Sequence, residues 1–391
     1  MIKINPLLMG VIEEGGSDLH IATGEPPRIR VDGELLPIEM PAPDAPTVVA
    51  LLQPICPEWR WKRFLETGDV DFAHHVAGKG RFRANYLRTS AGLAAVFRLI
   101  PENVRSIEEL HLPDVLRRLC NRQRGMILVT GPTGSGKSTT LAAMIDDINR
   151  NQARRIITVE DPLEFIHAPL RSTIIHREVG EHCTSFAQAL QSAVRADPDV
   201  LLIGEMRDGA TIREALNCAA TGALVFATLH TNSAAKTIDR IIGAFQANEQ
   251  PQIRAMLAEA LVAVVAQQLC HRRSGGGRVA ALEILLYTPA LPHTIREGLT
   301  GSIRTMIEGG GNLGMVSMDA ALKLLISEGA ISASEAYAKA TDKEQFLPDV
   351  LNDDGHESPQ SEDVDMAELD HRRYTTALFP ERQGPAAPDA K

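Results

Sequence analysis

The chain has 391 residues, of which 44% are hydrophobic, and a formal net charge of −10 at pH 7. This length suits two or three domains. The lack of an apolar run of about twenty residues argues against a membrane span. The excess of acidic over basic residues argues against a nucleic-acid partner. Five scattered cysteines without a CxxC pair indicate reduced thiols, and the N-terminus carries no export signal, so a cytoplasmic location is expected.

Residues 1–100 predict a small α+β domain. The run SDLHIA alternates polar and apolar residues as a half-buried strand does, and a DG pair at 32–33 between two strand-like runs indicates a hairpin. Strands are predicted at 17–22, 28–31, 34–38, 69–76, 80–88 and 92–100, and a helical stretch at about 46–66.

The pattern changes after a linker at 101–123. From residue 124, apolar strands alternate with helices, which is typical of a mostly parallel sheet covered on both faces. Strands are predicted at 125–131, 154–160, 199–205 and 223–230, with helices at 137–150, 184–196 and 209–221.

The last part of this domain, which runs from 124 to 346, is predicted to be mainly helical from about 234 onward. Helices are expected at 234–244, 249–270, 302–308, 317–328 and 332–341, with one strand at 277–287. Residues 347–391 hold eleven acidic and four basic side chains, so they carry −7 of the total −10. This composition predicts a disordered acidic tail.

A glycine-rich loop, GPTGSGKST, connects a predicted strand to a predicted helix. Its pattern, G-x-x-x-x-G-K-[ST], turns successive backbone N–H groups toward one concavity at the positive end of the helix, where phosphate binds. Lys137 is expected to reach the β- and γ-phosphates, and Ser138 to bind Mg²⁺. The candidate nucleotide-binding residues are Gly131, Pro132, Thr133, Gly134, Ser135, Gly136, Lys137, Ser138 and Thr139.

Acidic residues follow two further strands. The run DVLLIGEMRD places Glu205 at the end of an apolar strand, as a Walker B strand does when it delivers a carboxylate to the nucleotide. The run TVEDPLEF places Glu160, Asp161 and Glu164 after another strand. These acids form either a solvated turn or a group in which one carboxylate orients or deprotonates the attacking water.

Two more sets of side chains have both a structural and a functional interpretation. His230 stands at the end of a strand and is either structural or a sensor of the γ-phosphate. Arginines at mainly alternating positions in the first domain either cover a solvated sheet face or supply positive charge to the γ-phosphate of a neighbour. They are Arg81, Arg83, Arg88 and Arg98.

The motifs GPTGSGKST, VEDPLEF, LLIGEMRD and TLHTNSAAKTIDRII stand in the order and spacing of the secretion/pilus ATPase superfamily, of the GspE/PulE type. With GGSDLHIATGEPPRIRVDGELLPI near the N-terminus, the chain resembles the PilT-type retraction ATPases of type IV pili over about residues 5–346. The resemblance implies an α/β fold class, with a RecA-like P-loop NTPase domain, an N-terminal PAS-like α+β domain and a helical C-terminal region.

The resemblance also implies a homohexamer that hydrolyses ATP with Mg²⁺ to retract the pilus and so drive twitching motility. By position, Glu164 is the catalytic glutamate, Glu205 the Walker B acid and metal ligand, and His230 the His-box residue, while arginines of the first domain complete the site. The implied partners are a PilC-like platform protein at the inner-membrane pilus base and a paralogous pilus ATPase.

Two departures leave alternatives open. The stretch ALPHTIREG stands where the retraction family carries a segment similar to AIRNLIRE, and Pro292 replaces its first arginine. The acidic tail suits a PilU-like accessory ATPase. That accessory role, or a motor of a related secretion system, is the alternative. The intact Lys137, Glu164 and Glu205 argue against a regulator without turnover, and the acidic charge argues against a nucleic-acid translocase.

Overall fold

The computed structural model describes residues 3–31, 34–100 and 103–353. These residues form two compact units. Unit 1 contains the chain up to Val104 together with Asp161–His167, and unit 2 contains Arg105–Glu160 and the chain from Ala168 onward. The predicted boundaries place Asp161–His167 in the domain that runs from 124 to 346, whereas the structure groups this segment with unit 1.

Unit 1 is built on one antiparallel sheet with three helices. Its strands are β1 (Asp18–Ala22), β2 (Glu25–Val31), β3 (Glu34–Pro37), β4 (Asp69–Val76), β5 (Gly80–Thr89) and β6 (Gly92–Ile100), and its helices are α1 (Ile4–Glu13), α2 (Ala45–Leu52) and α3 (Glu58–Thr67). The strand order is β3-β2-β1-β6-β5-β4. The six predicted strands are confirmed, whereas the predicted DG turn at 32–33 lies outside the described residues.

Alternation along the strands gives this sheet one apolar and one charged face. Phe72, Phe82, Tyr86 and Phe97 are buried on the apolar face, where the ring centroids of Tyr86 and Phe72 are 5.0 Å apart. The helices contribute apolar side chains to this same core. The opposite face therefore presents its polar side chains away from the core.

The helical stretch predicted at about 46–66 is confirmed, but it is interrupted and is not one continuous helix. Helix α2 ends at Leu52, one 3-10 turn covers Gln53–Ile55, and α3 begins at Glu58. Pro54 and Pro57 account for the break, because proline cannot donate the backbone hydrogen bond that a continuous helix requires.

Unit 2 is built on a seven-stranded sheet. Its strands are β7 (Gly125–Thr130), β8 (Arg155–Glu160), β9 (Thr173–Glu178), β10 (Val200–Ile203), β11 (Leu224–Leu229), β12 (Leu261–His271) and β13 (Arg278–Leu286). Its helices are α4 (Val115–Cys120), α5 (Lys137–Asn151), α6 (Phe186–Ala193), α7 (Gly209–Ala220), α8 (Ala234–Ile242), α9 (Gln250–Ala260), α10 (Leu291–Glu297), α11 (Ile303–Gly309), α12 (Met318–Ser327), α13 (Ala333–Lys339) and α14 (Leu347–Asp353).

The strand order in this sheet is β13-β12-β7-β11-β10-β8-β9, and only the β12–β13 pair is antiparallel. The carboxyl ends of β7, β11, β10 and β8 therefore meet at one edge of the sheet. Both faces are covered: Met126 and Leu128 pack in one apolar layer, while Ile127 and Val129 pack with residues of α4 and α5 in the other. This arrangement explains why the strands read as continuous apolar runs.

The helix predicted at 249–270 is wrong in its second half. Helix α9 ends at Ala260, and the next eleven residues form β12, which pairs in parallel with β7. The β-branched residues Val262, Val264 and Val265 favour a strand, but an apolar run bounded by a helix reads equally well as its continuation. The region after 234 therefore supplies two strands to the main sheet and is not simply helical.

Two features of the C-terminal part bear on the sequence analysis. Pro292 is the second residue of α10 and lies in its first turn, where proline is tolerated, so it does not break this helix. Helix α14 covers the first seven residues of the predicted tail, and the tail from 354 onward lies outside the described residues. In the described part of the chain, no helix is both long and apolar enough to cross a membrane.

Candidate active site

The glycine-rich loop connects β7 to α5, as its motif predicts. Gly134 and Gly136 have φ angles of +78° and +84°, which side-chain-bearing residues adopt only with strain. The crest of the loop, Pro132–Gly134, is exposed, whereas Ser135 is buried. The loop thus presents its backbone to solvent directly before the positive end of α5.

Lys137 lies over this loop. Its side chain is buried, and Nζ donates hydrogen bonds to the backbone oxygens of Gly131 (2.8 Å) and Pro132 (2.9 Å). Ser138 and Thr139, the next two residues of α5, are half-buried. The ammonium group is therefore held where phosphate oxygens can replace carbonyl oxygens as its acceptors.

Glu205 lies two residues beyond the end of β10, and His230 directly follows the adjacent strand β11. One carboxylate oxygen of Glu205 is 3.0 Å from His230 Nε2, and the other is 2.8 Å from Arg207 Nη2. The sheet thus brings together two residues that are 25 positions apart in sequence.

The electrostatic environment keeps Glu205 ionised at neutral pH. Partial burial alone would raise the pKa of this carboxyl, but the hydrogen bond and charge of Arg207, together with His230, outweigh burial and lower the pKa below its usual value. An ionised carboxylate is the form that binds a hard cation such as Mg²⁺.

Threonine hydroxyls join the His230 loop to the end of β7. Thr231 Oγ1 is 2.7 Å from Thr237 Oγ1 in α8, which donates to Ser233 O and lies 3.5 Å from Thr130 Oγ1, beside the glycine-rich loop. Thr228 Oγ1 also donates to Gly204 O, which precedes Glu205. Sequence reasoning missed these contacts, although threonines at strand exits were the available signal.

Glu164 belongs to unit 1, because the segment Asp161–His167 groups with that unit, whereas Glu160 ends β8 in unit 2 and is buried. The structure therefore divides the three acids of the VEDPLEF motif between the two units. Lys137, Glu205 and His230 all belong to unit 2.

The four arginines proposed from sequence do not share one face. Arg83 and Arg98 are directly opposite each other on β5 and β6, and Arg81 is two residues from Arg83, so these three share the polar face. Arg83 Nε lies 3.6 Å from Asp71, and Arg98 Nε lies 2.9 Å from the buried Asp18. Arg83 and Arg98 are thus each ion-paired within unit 1, and both arginine side chains stay partly exposed.

Arg88 lies on the opposite face of β5, at an odd spacing from Arg83. Its Nη2 donates to Leu65 O at 2.7 Å, and its guanidinium lies 5.8 Å from the ring centroid of Phe64. Both contacts are with the C-terminal part of α3. Arg88 therefore binds the end of a helix within its own unit.

The family model described as Type II/IV secretion system protein matches residues 1–302. The chain belongs to this family. It is 47% identical over 345 residues to the protein of Pseudomonas aeruginosa named Type IV pilus retractation ATPase PilT, covering 88% of this chain and 100% of that protein. It is 46% identical over 320 residues to the Twitching motility protein of Neisseria gonorrhoeae, covering 82% and 86%.

The crystal structure of the pilus retraction motor PilT with bound ADP has a similar fold. The TM-score is 0.81 at 40% sequence identity, and the match covers 88% of this chain and 99% of that one. This likeness confirms the predicted fold class, α/β with a RecA-like P-loop NTPase domain.

Proposed function

We propose that this protein is an ATP-hydrolysing motor that retracts type IV pili and thereby drives twitching motility. The observation that carries the proposal is the arrangement at one edge of the unit 2 sheet, where the glycine-rich loop with Lys137 and the Glu205–His230 pair follow neighbouring strands. Relatives named for pilus retraction and twitching motility share 46–47% identity with the chain, which supports this use of the site.

In this proposal, the residues of unit 2 bind ATP and position Mg²⁺. Lys137 exchanges its bonds to Gly131 O and Pro132 O for bonds to the β- and γ-phosphates. Ser138 and Glu205 would hold the ion, which neutralises charge that develops on the phosphates. A hydroxyl and an ionised carboxylate fit Mg²⁺, because this ion is commonly bound by one or two protein oxygens together with phosphates and waters.

His230 and Arg207 then have a positioning role. Both bind the carboxylate of Glu205, so they fix its orientation and keep it deprotonated. Glu164 is proposed as the group that orients or deprotonates the attacking water. We propose that arginines of the polar face of unit 1 reach the γ-phosphate of a neighbouring subunit. The candidates are Arg81, Arg83 and Arg98, rather than Arg88, which binds the end of α3. This last step requires the proposed homohexamer.

We further propose a PilC-like platform protein at the inner-membrane pilus base as the partner on which the motor works. Helix α10 is the part of the chain that the retraction-linked segment matches, and it exposes His293, Arg296 and Glu297 to solvent. Because Pro292 lies in its first turn, the departure from the family segment leaves this helix intact.

The test is deletion of the gene in its own bacterium, followed by complementation. A retraction motor predicts hyperpiliated cells that do not twitch. Wild type and the exposed-lysine control Lys236→Ala restore twitching, whereas Lys137→Ala does not. Cells without pili would indicate an assembly motor instead, and unchanged piliation and twitching would contradict the proposal.

A further inference from the structure

Gln267 lies on β12, the strand next to β7, and its side chain connects the glycine-rich loop to α5, the helix that follows the loop. Its side chain is buried, with 2% of the residue exposed. Nε2 donates to Ser135 O at 2.7 Å, and Oε1 accepts from Thr140 Oγ1 at 2.8 Å. One carboxamide thus binds Ser135, directly before Gly136 and Lys137, and Thr140, three residues after Lys137 in the first turn of α5.

The backbone of β12 also lies against the loop. Ala266 pairs with Thr130, the last residue of β7, so Gln267 lies beside the start of the loop. A Cβ on Gly131 would lie 2.2 Å from Gln267 O, and a Cβ on Gly136 would lie 2.8 Å from Gln267 Nε2. A side chain at position 131 would therefore collide with the backbone of β12, whereas a side chain at position 136 would displace the Gln267 carboxamide. Both glycines also have positive φ angles.

The bond to Ser135 O determines where the next N–H group points. A trans peptide is planar, with its C=O and N–H on opposite sides. When Gln267 holds Ser135 O on the β12 side, the N–H of Gly136 is directed to the other side, toward the concavity that takes phosphate. Thr140 fixes the carboxamide itself, because its hydroxyl occupies Oε1 and leaves Nε2 for Ser135.

We infer that Gln267 is a positioning residue for the phosphate-binding loop, which it holds in its binding conformation before nucleotide arrives. The inference rests on the proposed ATPase function. Without the carboxamide, the loop occupies several conformations and nucleotide must select one of them. The apparent affinity then falls by the fraction of binding-competent loop. At saturating nucleotide the loop is ordered again, so KM rises while kcat changes little.

The test compares full-length Gln267→Met with the matched control Gln268→Met. Gln268 is the neighbour on β12, is only half-buried, and makes its side-chain bond to Lys339 O, on α13. Gln267→Met is expected to raise the Kd of fluorescent ADP and the KM for ATP roughly tenfold, the effect of losing a partner of a buried polar group. We expect kcat to stay within about threefold and Gln268→Met to match wild type.

Thr140→Val provides a second variant if Gln267→Met fails to fold. It is expected to weaken ADP binding in the same direction, and in that case unchanged ADP binding by folded Thr140→Val would overturn the inference. If Gln267→Met folds, the double variant is expected to be no worse than Gln267→Met alone, because both changes remove one network. Unchanged Kd and KM in Gln267→Met, or a loss confined to melting temperature, would overturn the inference. Absence of ADP binding by the wild type would instead contradict the proposed function.

Discussion

Replacing Arg88 with Met is expected to destabilise unit 1 without lowering ATP turnover. The substitution keeps most of the aliphatic stem but removes the hydrogen bond to Leu65 O and the contact with the Phe64 ring. Leu65 O is one of the last carbonyls of α3, which have no partner within the helix. A partly exposed charged hydrogen bond and a cation–π contact together predict a loss of about 1 kcal/mol.

The assay uses the two tryptophans of the chain, Trp59 and Trp61, which both lie in α3. Tryptophan fluorescence during urea unfolding therefore reports unit 1. A loss of about 1 kcal/mol corresponds to a midpoint lower by roughly 0.5 M urea. Phosphate release by Arg88→Met is expected to equal that of wild type.

Arg83→Met is the matched control on the same strand. The Arg83–Asp71 pair is exposed (41% and 45% of the side chains), so its loss is expected to change the unfolding free energy by less than about 1 kcal/mol. If Arg83 acts on a neighbour's γ-phosphate, turnover falls at least about a hundredfold. Normal stability and lost turnover in Arg88→Met would refute the assignment of Arg88 to the end of α3.

Three further outcomes are expected. Arg207→Gln removes a partner that lowers the pKa of Glu205, so this carboxylate contributes less stability near neutral pH. Thermal unfolding should show a wild-type advantage that shrinks as the pH falls below the usual carboxyl pKa and through the lowered pKa of Glu205. An advantage independent of pH would be inconsistent with this. Thr237→Val removes the hydroxyl that Thr231 Oγ1 contacts and one of the two donors to Ser233 O, which keeps the backbone N–H of residue 237. The loss should cost about 1 kcal/mol in denaturant unfolding, and an unchanged midpoint would count against the hydroxyl contacts. All five cysteines are buried thiols, and burial raises the pKa of Cys56 and Cys270 to about 11. A thiol reagent should therefore react only after unfolding, and fast labelling of the folded protein would disprove this.

The elements around the nucleotide site could be predicted from sequence because each carries a local signal. Gly131, Gly136 and Lys137 mark the loop by spacing, and the apolar run before Glu205 marks its strand. Contacts between distant residues have no such signal. The bond of Gln267 to Ser135 joins residues 132 positions apart, and it depends on β12 lying next to β7. Because the sequence of β12 predicts the continuation of a helix, it does not indicate that Gln267 lies beside the loop.

Arg88 shows a second limit of the same kind. Spacing along β5 places it on the opposite face from Arg81 and Arg83, which the sequence could have indicated. The partner that it meets on that face, the end of α3, depends on where the helix is interrupted near Pro57. Tertiary packing therefore decided the environment of this arginine.

The most direct measurement of the central claim is phosphate release by the purified full-length protein with ATP and Mg²⁺. Wild type, Lys137→Ala, Glu164→Ala and the control Lys236→Ala are compared at saturating ATP. We expect turnover by wild type and Lys236→Ala, and a loss of at least about a hundredfold in the other two. Wild-type turnover no faster than that of Lys137→Ala would contradict the account.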